Sequence, residues 1–112
     1  MAGKYVISRT SNGKYHFVLK ASNGEVILSS QTYASLDSAR NGVESVRRFG
    51  VDDARFERAN SSRGEPFFRL KANNGQTIGS SEMYSSQSAC DNGIDSVRRH
   101  AADAELEEQL GA

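Results

Sequence analysis

Alternating hydrophobic and polar positions, separated by short turns, mark the first part of the chain as a run of β-strands. The large apolar side chains of Phe17 and Leu19 fall on one face of their segment, as in a half-buried strand. Turns at Asn12-Gly13 and Asn23-Gly24 connect the segments, because Asn and Gly tolerate a positive φ. The predicted strands cover residues 5–8, 16–21 and 25–30.

The periodicity then changes to that of a helix with one apolar stripe. The stripe consists of Ala39, Val43, Val46 and Gly50. Ser35 stands where an N-cap is needed, and Arg47-Arg48 occupy the last turn, where cations favour the helix dipole. Gly42 lies inside the helix, where glycine costs roughly 1 kcal/mol relative to alanine. We therefore expect the helix to approach the sheet closely at this point.

The chain repeats itself with an offset of 51 positions, without a gap, between residues 13–48 and 64–99. Leu-Lys-Ala-Ser-Asn-Gly, for example, recurs as Leu-Lys-Ala-Asn-Asn-Gly. A match of this length indicates a tandem duplication, with units near 4–54 and 55–108. We expect a single domain over residues 1–112, in which the two units pair about a pseudo-twofold axis and share one core.

The register of the second hairpin depends on the length of its turn. A two-residue turn would pair Leu19 with Leu28, and a three-residue turn with a left-handed glycine would pair Leu19 with Ile27. The second register also pairs Leu70 with Ile78, so that residues identical in both repeats face inward. We predict this register, which directs Leu28 outward.

Two further segments follow the helices. Residues 55–59 are predicted to form a strand that either ends the first unit or begins the second. Residues 105–110 take the equivalent place after the second helix, and their composition fits either a final strand or a frayed acidic helix.

Three motifs together carry a family resemblance: Phe-x-Leu-Lys-Ala-x-Asn-Gly, Ser-Ser-x-x-Tyr, and Asn-Gly-[Val/Ile]-x-Ser-Val-Arg-Arg. Over residues 3–108 the chain resembles the YegP-like family of small bacterial proteins. The resemblance implies an α+β fold built from a tandem β-β-β-α-β unit, with a single antiparallel sheet and two helices on one face. It also implies that the strand after each helix crosses to the other unit, which favours a strand at residues 105–110. It supplies no catalytic residue, because the function of the family is uncharacterised.

The amino-acid composition narrows the classes of binding partner and the cellular compartment expected for the protein. Fourteen Lys and Arg balance fourteen Asp and Glu, so no basic excess points to nucleic acid or to an anionic membrane. The two halves differ, however: residues 1–51 carry a net charge of +4 and residues 52–112 a net charge of −4. The one cysteine, Cys90, excludes an internal disulfide, and no apolar run is long enough for a membrane span or a signal peptide. We expect a cytoplasmic monomer, with self-association as an alternative.

Residues that could carry catalysis or hold a cofactor are few and scattered. His16 and His100 lie far apart in sequence and neither recurs in the other repeat. Cys90 takes the place of Ala39 on the inward face of its helix, where we expect a small buried residue. No spacing for a metal or a phosphate loop occurs, so we expect no metal, no cofactor and no enzymatic activity.

The sheet face that the helices leave open is a candidate binding surface. Its predicted residues are His16, Val18, Lys20, Phe67, Arg69 and Lys71, with Val26 and Leu28 beside them. Interleaved aromatic and basic side chains suit single-stranded nucleic acid, which binds by stacking and phosphate contacts. An apolar strip of Val18, Val26 and Leu28 would instead suit self-association, and an ordinary solvated face is the third interpretation.

The recurring strand-to-helix segments supply a second candidate. Their residues are Ser30, Tyr33, Ser35, Ser81, Tyr84 and Ser86. The serines suit helix caps and the tyrosine rings suit packing against the helices, whereas a functional interpretation makes these segments two equivalent anion or small-ligand pockets. We predict a small non-enzymatic binding or interaction module, with single-stranded nucleic-acid binding through the open face as the alternative and an unrecognised enzyme as the third hypothesis.

Overall fold

One sheet of seven strands carries both helices on one face in the computed structural model, which describes residues 3–110. The strands are β1 Lys4–Arg9, β2 Tyr15–Lys20, β3 Val26–Ser30, β4 Phe56–Asn60, β5 Pro66–Lys71, β6 Thr77–Ser80 and β7 Glu105–Gln109; the helices are α1 Leu36–Phe49 and α2 Gln87–His100. The strand order is β4-β5-β6-β3-β2-β1-β7. The α+β prediction of one sheet with two helices is confirmed.

The strand that follows each helix pairs in the half of the sheet built by the other repeat. β4 follows α1 and pairs antiparallel with β5, so it serves as the first strand of the second repeat. β7 follows α2 and pairs with β1, which confirms a strand rather than a frayed helix at the end of the chain. This last pair is parallel, unlike every other pair in the sheet; such pairing needs a long crossover connection, which the intervening chain provides.

The hairpin between β2 and β3 has the predicted turn but not the predicted register. Gly24 adopts a φ of 87°, and the Ala21 N–H donates to the Glu25 carbonyl at 2.8 Å, which closes a three-residue turn. A bulge beside Leu19 then shifts the pairing, so that Leu19 lies opposite Leu28. The prediction that Leu19 pairs with Ile27 is therefore wrong, because an extra residue in β3 restores the two-residue register beyond the turn.

The second repeat contains the same bulge, and Leu70 lies opposite Gly79 instead of Ile78. Leu28 is fully buried in the core and so does not belong to the open face, which corrects the predicted apolar strip. Ile27 is also buried, at 5% exposure. The bulge thus brings two consecutive side chains of β3 into the core, where simple alternation would admit one.

The two halves of the sheet join at a short seam between β3 and β6. Only two residue pairs form it among the residues that the structure describes, Ser29 with Ser80 and Ser30 with Gly79. Ser29 and Ser80 are equivalent positions of the two repeats, so the pseudo-twofold axis passes through their pair. A Cβ atom on Gly79 would lie 2.7 Å from the Ser29 carbonyl oxygen and 3.2 Å from Leu28 Cγ, so glycine permits this close approach.

A single hydrophobic cluster draws buried side chains from both repeats and both helices. The predicted stripe of α1 and its equivalent on α2 face it, and Cys90 is buried there as a free thiol. The opposite charges of the two halves also meet across the repeats. The Lys4 ammonium lies 2.9 Å from the Glu107 carboxylate, and the Arg40 guanidinium lies 2.6 Å from Glu108. These ion pairs attach β7 to β1 and α1.

Candidate functional site

Tyr33 packs between the sheet and a glycine of α1. Its ring stacks on Phe17 with a centroid distance of 6.1 Å and an interplanar angle of 11°. A Cβ on Gly42 would lie 2.5 Å from the Tyr33 hydroxyl and 2.8 Å from the Phe17 ring. The predicted close approach at Gly42 is confirmed, because any larger residue would displace the tyrosine.

The second repeat builds the same arrangement. Tyr84 stacks on Phe68 at 6.2 Å and 13°, and a Cβ on Gly93 would collide with the Tyr84 hydroxyl. Both tyrosines are half-buried, and burial raises the pKa of each phenol. The tyrosine and the helix glycine therefore form one packing unit that occurs twice.

The serines of the predicted turn pockets satisfy backbone groups. Ser35 and Ser86 are the helix N-caps, and their hydroxyls accept hydrogen bonds at 3.1 Å from backbone N–H groups three residues ahead. The hydroxyls of Ser30 and Ser81 accept from the N–H groups of Phe17 and Phe68, at 2.8 Å and 3.0 Å. Each of the latter also donates to the next residue's carbonyl. These four serines hold the strand-to-helix segments in shape, and the tyrosines are the members of the predicted set that remain open to a ligand.

A groove of about 360 Å³ lies beside Tyr33, between α1 and the start of β6 in the other repeat. The polar side chains that line it are Gln31, Tyr33, Ser38, Asn41, Ser45, Asn74, Gln76 and Thr77. None of them is charged, and Gly42, Ala72 and Ile78 complete the lining. The groove therefore offers amide and hydroxyl groups from both repeats without any formal charge.

Several of these polar groups have no partner within the described chain. Among residues 3–110, neither the Tyr33 hydroxyl nor the side-chain amides of Asn41 and Gln76 take part in a hydrogen bond. Gln31, by contrast, donates its amide to the Thr77 carbonyl and so links the two repeats at the edge of the groove. The site thus combines a fixed wall with free donors and acceptors.

Two of the equivalent positions in the second repeat carry acids. Glu82 replaces Gln31 and Glu25 replaces Gln76 at the offset of 51. Burial raises the pKa of Tyr84 first, and Coulomb interactions with Cys90, Glu82 and Glu25 raise it further. Both carboxylates therefore lie near Tyr84, whereas burial alone raises the pKa of Tyr33. Sequence comparison at the repeat offset shows these exchanges, and this signal could have singled out the Tyr33 groove.

The predicted open-face residues do share one face, but they form two separate groups. His16, Val18 and Lys20 lie on β2 and Phe67, Arg69 and Lys71 lie on β5, with β3 and β6 between the two strands. Ser29 and Ser80 occupy the face between them. The interleaved aromatic and basic residues are therefore not contiguous across the sheet.

Ion pairing and packing also use much of this surface. The Glu57 carboxylate lies 3.1 Å from Arg69 and 3.2 Å from Lys71, and it binds both cations. Phe67 is only 7% exposed, with the Arg69 guanidinium 4.7 Å from its ring centroid. Single-stranded nucleic-acid binding through the face stays a prediction that these contacts do not favour.

The described residues contain no group of His, Cys, Asp and Glu that could hold a metal ion. Burial raises the pKa of the Cys90 thiol, which disfavours the reactive thiolate. In the same part of the chain, neither helix has the length and apolar character to cross a membrane.

These features define a class of small α+β proteins in which two tandem repeats complete one sheet. The chain belongs to the family described as "Domain of unknown function (DUF1508)", whose model matches residues 10–57 and again 61–108. The two matches are separated by the offset of 51 found in the sequence. The predicted membership of the YegP-like family is confirmed, and the unit bounds of 4–54 and 55–108 stay predictions.

Relatives and solved structures agree with this assignment. A UPF0339 protein of Acinetobacter baylyi is 45% identical over 99% of this chain and all of its own length. UPF0339 protein YegP of Yersinia pestis is 51% identical over 88% of each chain. The solution structure of yegP from E. coli, a "protein of unknown function", matches with a TM-score of 0.94 at 40% identity, covering 100% of this chain and 97% of its own.

Proposed function

We propose that the protein is a small, non-enzymatic binding module that holds an uncharged polar ligand in the groove beside Tyr33. The observation that carries this proposal is the lining of the groove, in which every polar side chain is an amide or a hydroxyl. We also infer a cytoplasmic location, since a lone buried Cys90 suits a reducing compartment.

The lining selects for neutral ligands because it holds no charge to balance one. A charged group moved out of water into this groove would lack an ionic partner, whereas hydroxyl and amide groups can exchange hydrogen bonds with its walls. The volume of about 360 Å³ lies at the lower end of the range for small-molecule sites. A sugar or a nucleoside has the matching size and chemistry.

The first test is an NMR titration of ¹⁵N-labelled protein with glucose, N-acetylglucosamine and uridine up to about 20 mM, enough to reveal millimolar affinity. We expect at least one probe to shift the side-chain amide signals of Asn41 and Gln76 saturably. No saturable shift at these amides with any probe would overturn the proposal.

Matched substitutions then separate the Tyr33 groove from its equivalent in the second repeat. Gln76→Glu introduces a charge into the lining and should weaken binding severalfold, whereas Glu25→Gln at the equivalent position should leave it unchanged. Gly42→Ala should displace Tyr33 and weaken binding, with Gly93→Ala as its control. If the two variants of either pair changed the affinity for the ligand equally, a binding site at Tyr33 would be contradicted.

A further inference from the structure

The dipeptide Asn-Gly occurs five times in the chain, and the fold places its copies in two kinds of structure. Three lie in turns between strands: Asn12-Gly13, Asn23-Gly24 and Asn74-Gly75. The other two lie inside the helices: Asn41-Gly42 in α1 and Asn92-Gly93 in α2. In this dipeptide the glycine nitrogen can close a five-membered ring on the asparagine side chain, and glycine has no side chain to obstruct it. Whether the ring forms depends on the local backbone.

The reaction is the deamidation of asparagine, and water is its only co-reactant. The backbone nitrogen of the glycine loses its proton to solvent and attacks the side-chain carbonyl carbon of the asparagine. The bond from that carbon to the amide nitrogen breaks, and the nitrogen takes up a proton and leaves as ammonia. Water then opens the succinimide ring at either carbonyl, which gives aspartate or isoaspartate. A neutral amide thus becomes a carboxylate, which is ionised at neutral pH.

Asn74-Gly75 lies at the exposed tip of the hairpin between β5 and β6. The Gln76 N–H donates to Asn74 Oδ1 at 3.0 Å, which draws electrons from the carbon that is attacked. Gly75 has a φ of 86°, and its N–H donates to the Ala72 carbonyl at 3.0 Å. This backbone bond must open before the nitrogen can attack. At an exposed turn such opening costs little free energy, so the ring can form in the folded protein.

Asn41-Gly42 has the same sequence but a protected backbone. It lies in the middle of α1, where each N–H is bonded to the carbonyl four residues earlier. Gly42 is buried and packs against Tyr33 and Phe17. Attack by its nitrogen would require α1 to unwind over this contact, which costs far more free energy than opening a turn. We therefore expect Asn41 to stay an amide in the folded protein.

Both asparagines line the uncharged groove beside Tyr33. Among the residues that the structure describes, Asn74 is the one turn asparagine of the three Asn-Gly copies that belongs to this lining. Deamidation at Asn12 or Asn23 would therefore add charge elsewhere on the surface. Deamidation at Asn74 would place a carboxylate in the groove.

We propose that Asn74 deamidates spontaneously in the folded protein and that this reaction converts the neutral groove beside Tyr33 into an acidic one. The groove then resembles the surroundings of Tyr84, where Glu25 and Glu82 lie. The lining holds no cation to balance the new carboxylate, so a ligand that removes its water is disfavoured. This effect on the ligand rests on the proposed function, whereas the reaction itself does not. Because ammonia is lost, the groove is closed to its neutral ligand irreversibly as the molecule ages.

Peptide mapping by mass spectrometry tests the reaction after the folded protein has stood for several days at mildly alkaline pH and body temperature. Digestion at acidic pH stops the reaction before the analysis. We expect Asn74 to convert at least about tenfold faster than Asn41 in the folded protein, and at a similar rate in urea, where no helix protects Asn41. If Asn41 converted as fast as Asn74 in the folded protein, or if Asn74 converted only in urea, the proposal would be overturned.

Asn74→Asp introduces the charge directly and keeps an oxygen for the Gln76 N–H, so the turn should still fold. We expect it to weaken binding of the neutral ligand severalfold and to raise the pKa of Tyr33, because a nearby carboxylate disfavours the phenolate. Asn23→Asp, at the equivalent position of the other repeat, is the control and should change neither. Asn74→Gln cannot form the five-membered ring and should keep its affinity through the same incubation.

The measurements separate this proposal from the proposed function. If the fresh protein bound no probe, the binding function would fail, while the mass map and the pKa of Tyr33 would still decide whether Asn74 reacts and charges the groove. If the fresh protein bound a probe and Asn74→Asp bound it equally well, control of the groove by Asn74 would be refuted and the binding function would stand. An equal loss of affinity in incubated Asn74→Gln would also refute that control.

Discussion

The surroundings of Tyr33 and Tyr84 show how far two copies of one unit can diverge in chemistry while they keep the same scaffold. Each tyrosine stacks on a phenylalanine of the sheet and covers a helix glycine. Amides of Gln31 and Gln76 stand near the first tyrosine, and carboxylates stand at the equivalent positions near the second. The packing unit is therefore structural in both repeats, and functional differences reside in the residues around it.

Equivalent positions of the two repeats also differ in the core, beside the pseudo-twofold axis. Leu28 and Gly79 are equivalent positions that meet across the seam, and a Cβ on Gly79 would lie 3.2 Å from Leu28 Cγ. Two identical chains would have to place the same residue at both positions. A covalent duplication allows a large residue on one side and glycine on the other, which fills the space without a collision.

The largest loss of stability should follow from placing the same residue at both positions beside the axis. Gly79→Leu should destabilise the protein by about 3 kcal/mol, because the new side chain meets the Ser29 carbonyl as well as Leu28. Leu28→Gly should cost about 2–5 kcal/mol through the cavity that it leaves in the core. Urea unfolding measures both free energies.

The double variant, Leu28→Gly with Gly79→Leu, sharpens this comparison. If the two positions compensate each other, the double variant should be more stable than the sum of the single effects by about 1 kcal/mol or more. Strict additivity would show that the close approach at the axis is not a Leu28–Gly79 contact. A buried pair on different elements of the two repeats, Ile7→Val in β1 with Ile94→Val in α2, provides the additive control.

Much of the fold could be predicted because its signals are local and occur twice. Ser35 marked the start of α1, and Gly42 marked a close approach whose partner proved to be Tyr33. The bulge beside Leu19 could not be predicted from the turn, because it depends on the packing of both Ile27 and Leu28 in the core. The parallel pairing of β7 likewise depends on an edge that the first repeat leaves open.

The candidate site was predicted only in part. Tyr33 stood out because its segment recurs, but the serines beside it proved to be caps and backbone acceptors. The amides that complete the groove, such as Asn74 and Gln76, come from a hairpin of the other repeat. Sequence spacing cannot bring together side chains that meet only when the two halves of the sheet join.

Low pH should weaken the attachment of β7 to β1, whereas β4, at the other end of the sheet, pairs with β5 alone among residues 3–110. Hydrogen bonds from Lys4 and Arg40 lower the pKa values of Glu107 and Glu108 below the ordinary 4.5. The stabilisation is therefore complete above the unfolded pKa and is lost as the pH falls below it and through the lowered folded pKa values. We expect a small decrease in stability with loosening of β7, since these pairs are exposed.

The double variant Glu107→Gln with Glu108→Gln should remove this pH dependence. Its urea midpoint should be slightly below that of the natural chain at neutral pH, and the two should converge once the pH falls below the lowered folded pKa values. Hydrogen exchange of the β7 amides should be faster in the variant at neutral pH. Glu105→Gln on the same strand, which removes no ion pair among residues 3–110, is the control; an equal effect would contradict a specific role for the two bridges.

The smallest expected effect is a change in the acidity of one tyrosine. Burial, with Coulomb interactions from Cys90, Glu82 and Glu25, raises the pKa of Tyr84, so Glu25→Gln with Glu82→Gln should lower that pKa and leave the pKa of Tyr33 unchanged. Titration of the ¹³Cζ resonances of the tyrosines resolves the two phenols. The direction follows from charge, since a nearby carboxylate disfavours the phenolate. If the pKa of Tyr84 does not move, the carboxylates face solvent, and the chemical contrast between the two tyrosine surroundings is confined to the sequence.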